Sequence, residues 1–264
     1  MNIWTIAKKN IENRSWKAMS NNQVGTYKLV ASPFHLDVRG KLSMGVLGKH
    51  LLNCADAYAA ERGFDVVEQG GEHYTWVLSR LAIELEDLPS CHESFSIQTW
   101  VENVYRLFAD RNFVICNKDE KPIGYVRSVW AMISMETRNP ANLLDLHGDR
   151  ITNSICEKEC PIAKPGRIKV SQQEAVSEYV AKYSDLDING HVNSIKYIEH
   201  ILDIFPLDIY KKKALKRFEI AYVAESYYGD TLSFYLEEKN ENEYDIEVRK
   251  SSTEVVVRSK VIFK

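Results

Sequence analysis

The feature that most constrains this 264-residue chain is that it nearly repeats itself. "LDVRGKLSMGVLGKHLL" (36–52) lies on "LDINGHVNSIKYIEHIL" (186–202) without a gap, at an offset of 150 residues. "LAIELEDLPSCHESFSIQTW" (81–100) lies on "FEIAYVAESYYGDTLSFYLE" (218–237) at an offset of 137. In a repeated chain each copy is one structural unit, and the copies complete each other's burial. Each copy reads as a strand, a loop, one helix and then several antiparallel strands.

In the first copy Ser43 is placed to cap a helix running through "MGVLGKHLLNCADAYAAERG", with Gly63 past its end. In the second, Ile195, Ile198, Ile201, Leu202 and Phe205 recur at helical spacing from about Asn193 or Ser194 until Pro206. The runs 232–239, 244–250 and 254–264 read as strands joined by polar turns. One long central helix wrapped by an antiparallel sheet, present twice, predicts an α+β chain of two tandem hot-dog modules joined sheet edge to sheet edge. The boundaries read as an N-terminal extension over 1–22, a first module over 23–136, a linker over 137–172 containing Pro140, Pro161 and Pro165, and a second module over 173–264.

With 45% hydrophobic residues the chain can bury substantial cores. No apolar run reaches the ~20 residues of a membrane-spanning helix, and the start lacks the apolar stretch of a signal peptide, so a cytoplasmic location is expected. The mixed net charge of −3 argues against a nucleic-acid binder. The five cysteines are scattered and lack a histidine pair, so neither a metal site nor a cofactor is expected.

Both copies must fold, but only one needs reactive groups, so their differences locate chemistry. Asn189 faces Arg39, His191 faces Lys41, Glu225 faces Leu88 and Ser226 faces Pro89. Asp187 faces Asp37 and so reads equally as a turn residue common to both copies. Polar groups thus concentrate in the second copy. Each alone has an ordinary structural explanation, and it is their coincidence that points to a site.

"DLDINGHVNSIKYIEHIL" (185–202) resembles the Asp-Leu-Asp-x-Asn-x-His-Val-Asn segment of the acyl-acyl-carrier-protein thioesterases, a family of two fused hot-dog modules. "TWVLSRLAIELEDLP" (75–89), "TW" (99–100), "RNF" (111–113), "SVWAMISMETRNP" (128–140) and "AES" (224–226) stand in the same order as other segments of that family. The resemblance implies hydrolysis of acyl-acyl-carrier-protein thioesters in fatty acid biosynthesis, with Asp187, Asn189, His191 and Glu225 as the catalytic set. It also implies an acyl carrier protein bearing a fatty acyl thioester as partner, and a homodimer is compatible with the chain. Plant members carry Cys after the Glu, where this chain has Ser226; an unassisted Ser hydroxyl is a far weaker nucleophile than a thiolate.

These residue types suit the reaction. A thiolate leaves readily, so the demands are an activated water and a stabilised oxyanion. Glu225 is the first candidate for the base, and the unpaired N–H groups at the second helix's start can meet the thioester oxygen. His191 and Asn189 can add hydrogen bonds, while Asp187 orients one of them or favours protonated His191. Water attack activated by the carboxylate and direct attack by Asp187 or Glu225 to give a mixed anhydride both remain open. So do an acyl-coenzyme A thioesterase, dehydration of 3-hydroxyacyl thioesters, and a non-catalytic acyl-chain binding protein.

The first copy, free of catalysis, is expected to wall an acyl tunnel through Trp76, Leu78, Leu81, Leu47, Leu51, Leu52 and Tyr58. The basic run "YKKKALKR" (210–217) reads as a solvated loop or as a docking patch for an acidic carrier.

Overall fold

A computed structural model describes residues 23–264. The expected extension over 1–22 lies outside the described residues. The first half carries β1 (Gly25–Val30), α1 (Met44–Glu61), β2 (Val67–Gln69), β3 (Glu72–Leu85), β4 (Ser94–Val104), β5 (Ala109–Cys116) and β6 (Pro122–Ser134). Two short helices follow, α2 (Leu143–His147) and α3 (Asp149–Thr152). The second half carries β7 (Ser177–Val180), α4 (Ser194–Asp203), α5 (Leu207–Lys212), β8 (Leu215–Tyr222), β9 (Thr231–Asn240), β10 (Glu243–Lys250) and β11 (Glu254–Phe263).

The strands form a single antiparallel sheet in the order β1-β4-β5-β6-β3-β8-β11-β10-β9-β7, with β2 paired to β3 alone. The two hot-dog modules meet where β3 pairs β8, from Arg80 opposite Ala221 to Glu84 opposite Arg217. This joint converts what would be an exposed edge of each sheet into a continuous ladder.

The helices start and stop where their sequences direct. Ser43 Oγ accepts from the Val46 N–H at the start of α1, and Asn193 Oδ1 accepts from the Ile195 N–H at the start of α4. Ile195, Ile198 and Ile201 are at most 2% exposed. Their burial contributes about 1.5–3 kcal/mol each relative to exposure. The two central helices approach closely because Gly48 has no side chain: a Cβ there would lie 2.7 Å from Ile195 Cδ1. Substitution at Gly48 would therefore require the Ile195 side chain to shift.

The segment expected as an irregular linker is more structured than weak periodicity suggested, since it includes α2 and α3 and then crosses the sheet face opposite the helices. Along β5, Phe113 and Ile115 join the helix-side core, while Val114 and Cys116 meet Cys160 and Ile162 of the crossing segment. Charged side chains pin it. Arg217 bonds Glu219 (2.7 Å), Glu84 (2.8 Å) and the Ala163 carbonyl (2.8 Å), and Glu219 accepts from the Gly166 N–H (2.7 Å). A buried guanidinium is tolerated only when partnered in this way. These partners join the two modules and the crossing segment at one point.

Candidate active site

The site begins as a turn. The Asp187 N–H donates to the His191 carbonyl (2.8 Å) and the Gly190 N–H to the Asp187 carbonyl (3.1 Å). Asp187 Oδ1 accepts from the N–H groups of Asn189 (2.8 Å) and His191 (3.1 Å). Gly190 takes φ +81°, which favours glycine. Asp187 thereby spends one oxygen on folding the turn.

Backbone pairing then brings Glu225 to the turn. The Val192 N–H donates to the Ser226 carbonyl (2.8 Å), and His191 forms a β-bridge with Tyr227. His191 Nε2 and Glu225 Oε2 stand 3.4 Å apart. Tyr227 packs edge-on against the imidazole at 5.1 Å and directs its hydroxyl to Glu225 Oε2 at 3.4 Å. The Lys250 ammonium bonds the Glu225 carbonyl (3.1 Å). The other Glu225 oxygen pairs with Arg138, which arrives from the first module. Sequence comparison did not single out Arg138; it stood inside "SVWAMISMETRNP", but nothing in that segment indicated where its side chain would reach.

Asp187, Asn189, His191 and Glu225 all line one cavity of about 370 Å³, together with Ser194 at the start of α4 and Arg138. Asp187 does pull His191 towards the protonated form, as one of its two expected roles, but that pull does not prevail. Burial holds the imidazole below its ordinary range and Arg138 adds to this, outweighing the opposing pull of Asp187. Ser226 is 1% exposed and does not line the cavity. Its hydroxyl faces that of Tyr197, both buried and neither in a well-formed hydrogen bond. A nucleophile needs access that Ser226 lacks.

A second, largely apolar cavity of about 220 Å³ lies between α1 and the sheet of the first module. Leu52, Thr75, Trp76 and Trp130 line both cavities, so the two adjoin across a shared wall. Of the expected tunnel residues, Leu52 and Trp76 border both and Leu78 borders the site. Leu47, Leu51, Tyr58 and Leu81 are instead core residues, at most 2% exposed. Behind Trp76, His147 stacks at 5.7 Å with rings nearly parallel, and burial lowers its pKa to about 4.

The basic run is separated from the site. Lys211–Lys213 precede β8 and Glu225 follows it, and eight residues of strand span about 26 Å. The cations close to Glu225 are Arg138 and Lys250. Among the described residues, no group of three or more His, Cys, Asp or Glu side chains is placed to hold a metal ion, and no helix is long and apolar enough to cross a membrane.

Two hot-dog modules in one chain, with His191 and Glu225 brought to a cavity that shares a wall with a largely apolar one, set the chain among the fused double hot-dog proteins. Residues 26–148 match the acyl-ACP thioesterase N-terminal domain and residues 168–264 the acyl-ACP thioesterase C-terminal domain. The chain belongs to the acyl-ACP thioesterase family. It is 60% identical to an acyl-ACP thioesterase of Bacteroides thetaiotaomicron whose crystal structure aligns with a TM-score of 0.87, covering 93% of this chain and 100% of that one. The 12:0-ACP thioesterase of Umbellularia californica aligns with a TM-score of 0.77 over 92% and 94% of the two chains at 15% identity, a likeness of fold. The chloroplastic palmitoyl-acyl carrier protein thioesterase of Gossypium hirsutum is 26% identical over 177 residues, 64% of this chain. The chloroplastic oleoyl-acyl carrier protein thioesterase 2 of Arabidopsis thaliana is 28% identical over 183 residues, 65% of this chain. The matches span 43% and 49% of those two relatives, less than half of each.

Proposed function

We propose that this chain hydrolyses fatty acyl thioesters of acyl carrier protein, releasing free fatty acid and the carrier thiol in fatty acid biosynthesis, in the cytoplasm. The observation that carries this reading is the convergence of Glu225 and His191, 3.4 Å apart, on a cavity that adjoins a largely apolar one. The acyl chain occupies the apolar cavity beside Trp76 and Leu52, and the thioester lies at the polar end.

In this reading Glu225 removes a proton from water as the water attacks the carbonyl carbon. The carbonyl oxygen, as it gains negative charge, is met by the Ser194 N–H at the start of α4, where Ser194 lines the cavity. Neutral His191 offers one N–H or one lone pair to the water or the intermediate, and Asn189 supplies a further amide. The tetrahedral intermediate collapses by expelling the thiolate, which needs little acid assistance. Asp187 holds the turn in shape. Because its Oδ1 already accepts two N–H groups, it is a poor candidate for direct attack, which favours water over an anhydride at that residue.

The test incubates the purified protein with carrier-bound and coenzyme A-bound forms of the same acyl chains. Thiol and fatty acid released faster from the carrier form support the reading, whereas faster release from coenzyme A assigns the other donor. Absence of thiol release with both sinks hydrolysis. Single turnover in heavy-oxygen water, followed by digestion, places label in the fatty acid alone for water attack and in the Glu225 side chain for an anhydride.

A further inference from the structure

Arg138 reaches the site from the other half of the molecule. It follows β6 in a tight loop: the Arg138 N–H donates to the Ser134 carbonyl (3.0 Å), the Ser134 N–H to the Asn139 carbonyl (3.0 Å) and the Met135 N–H to the His73 carbonyl (2.8 Å). The Thr137 N–H donates to Ser134 Oγ (3.1 Å), and the Glu136 carboxylate accepts from the His73 N–H (3.1 Å). These bonds hold Arg138 at φ +59°. That left-handed conformation is unfavourable for a residue with a Cβ, and such outliers persist where the surroundings impose them, often at working sites.

The imposed backbone sends the guanidinium into the catalytic cavity, where it pairs with Glu225 Oε1. Glu225 Oε2 is left facing His191 Nε2 and the Tyr227 hydroxyl, each at 3.4 Å. We infer that Arg138 is a positioning residue for the reaction: by clamping Oε1 it fixes Oε2 as the carboxylate oxygen presented to His191 and the attacking water. The inference rests on the reading of Glu225 as the base.

A surface glutamate samples several rotamers, and a base must lie within hydrogen-bond reach of the proton it takes. Without the clamp, the carboxylate would keep two contacts among the described residues, both longer than a well-formed hydrogen bond. The groups facing it come from every element around it: Arg138 from the first module, His191 from the turn, Tyr227 from its own loop and Lys250 from β10, with Asp187 beyond His191. Two are fixed cations.

The reciprocal contact strengthens the argument. At the corresponding strand end of the first module, Lys264 of the second module bonds the carbonyls of Leu85 (2.9 Å) and Glu86 (2.8 Å). There Leu88 stands where Glu225 stands in the second copy. Each module thus lends a cation to the other, but only Arg138 meets a carboxylate at the catalytic position.

The test measures kcat, KM and the pH profile for carrier-bound substrate with R138M and R138K, each alone and combined with E225Q. R138M is expected to lower kcat about 10- to 100-fold, to change KM less than about threefold, and to move the acid limb of the kcat profile up by roughly one pH unit, since a nearby guanidinium favours the ionised carboxylate by one to three units. R138K should restore part of that shift, because an ammonium keeps the charge but not the fork. In the E225Q background, R138M should add nothing, as expected for residues acting as one unit. An unmoved acid limb would overturn the inference. So would an equal loss with and without Glu225, an outcome that leaves the base assignment standing. Full activity of E225Q alone removes the base and Arg138's role with it. Should R138M fail to fold, R138K carries the same cycle with a smaller shift in the same direction.

Discussion

The two module turns have one backbone and two chemistries. In the first, the Asp37 N–H donates to the Lys41 carbonyl (2.7 Å), the Gly40 N–H to the Asp37 carbonyl (2.9 Å) and the Leu42 N–H to the Pro89 carbonyl (2.8 Å). Asp37 Oδ1 accepts from the Arg39 and Lys41 N–H groups at 2.9 and 3.3 Å. Every one of these bonds recurs around Asp187. The side chains then diverge: Arg39 folds back on Asp37 (2.6 Å) and Lys41 pairs with Asp87 (2.9 Å), neutralising one another. Asn189 and His191 line a cavity instead, where His191 faces the Glu225 carboxylate at 3.4 Å. The first turn therefore serves as an internal control, since what is shared maintains the fold and what differs is available for chemistry.

Substitutions at matching positions of the two turns separate scaffold from chemistry. The largest effect should come from Glu225→Gln, which removes the proposed base; general acid–base catalysis contributes 10²–10⁴-fold, so kcat should fall by about 10³-fold while Leu88→Gln at the corresponding position leaves it unchanged. Rewriting the second turn as the first, with Asn189→Arg and His191→Lys together, should cost about 100-fold in activity. Circular dichroism and Tm should stay close to the parent, because the first turn shows this backbone accepting those residues. A folding defect there would mean that the turns are not interchangeable scaffolds.

A third test concerns buried histidines. His200 of the second module bonds Asp185 (3.1 Å), whereas His147 beside the first module's cavity has its Nδ1 buried without a partner. Its folded pKa, about 4, lies below the unfolded value of 6.5, so the folded state binds fewer protons between them. Stability is then full above pH 6.5 and is lost as pH falls towards 4, by on the order of 3 kcal/mol. The Tm of the parent should drop over that window more steeply than the Tm of His147→Phe; parallel curves would exclude His147 as the titrating group.

Asp37→Ala and Asp187→Ala should each destabilise by about 1–2 kcal/mol in urea unfolding, since each strips an acceptor from two N–H groups. Only the second should reduce kcat, by distorting the turn that carries His191. The smallest effect is expected for reversing Lys211, Lys212 and Lys213 to Glu. Charges a strand-length from Glu225, exposed at Lys211 and Lys212 and half-buried at Lys213, lie beyond the ~8 Å screening length at physiological salt, so KM for a carrier-bound substrate should move less than about threefold.

Much of the fold was legible because it depends on near-neighbours in sequence. Ser43, Gly63, the isoleucines of α4 and the alternation of β9 to β11 act through spacings of two to four residues, and the repeat itself disclosed the pairing of halves. The candidate residues were legible for a related reason: Asn189 and His191 differ from Arg39 and Lys41 within a turn whose Leu, Asp and Gly agree, and Glu225 stands where the first copy has Leu88. The content of 137–172 was not, because α2, α3 and the crossing segment are held by side chains from distant strands, as when Arg217 grips the Ala163 carbonyl. The tunnel residues separated only in the structure, since Leu51 and Leu52 are indistinguishable by type and differ in which side of α1 they occupy.

Two similar modules, one central helix in each, and an Asn189–His191 turn with Glu225 in the second where the first has Arg39, Lys41 and Leu88, could all be read from the residues, because they follow from local periodicity and from comparing copies within one chain. Tertiary structure alone decided that His191 stays below its ordinary pKa, that Ser226 is buried away from the cavity, that the lysine run lies a strand away from Glu225, and that Arg138 crosses between modules to clamp it. Protonation, access and ion pairing are fixed by distances between groups far apart in the chain, and no local pattern encodes those distances.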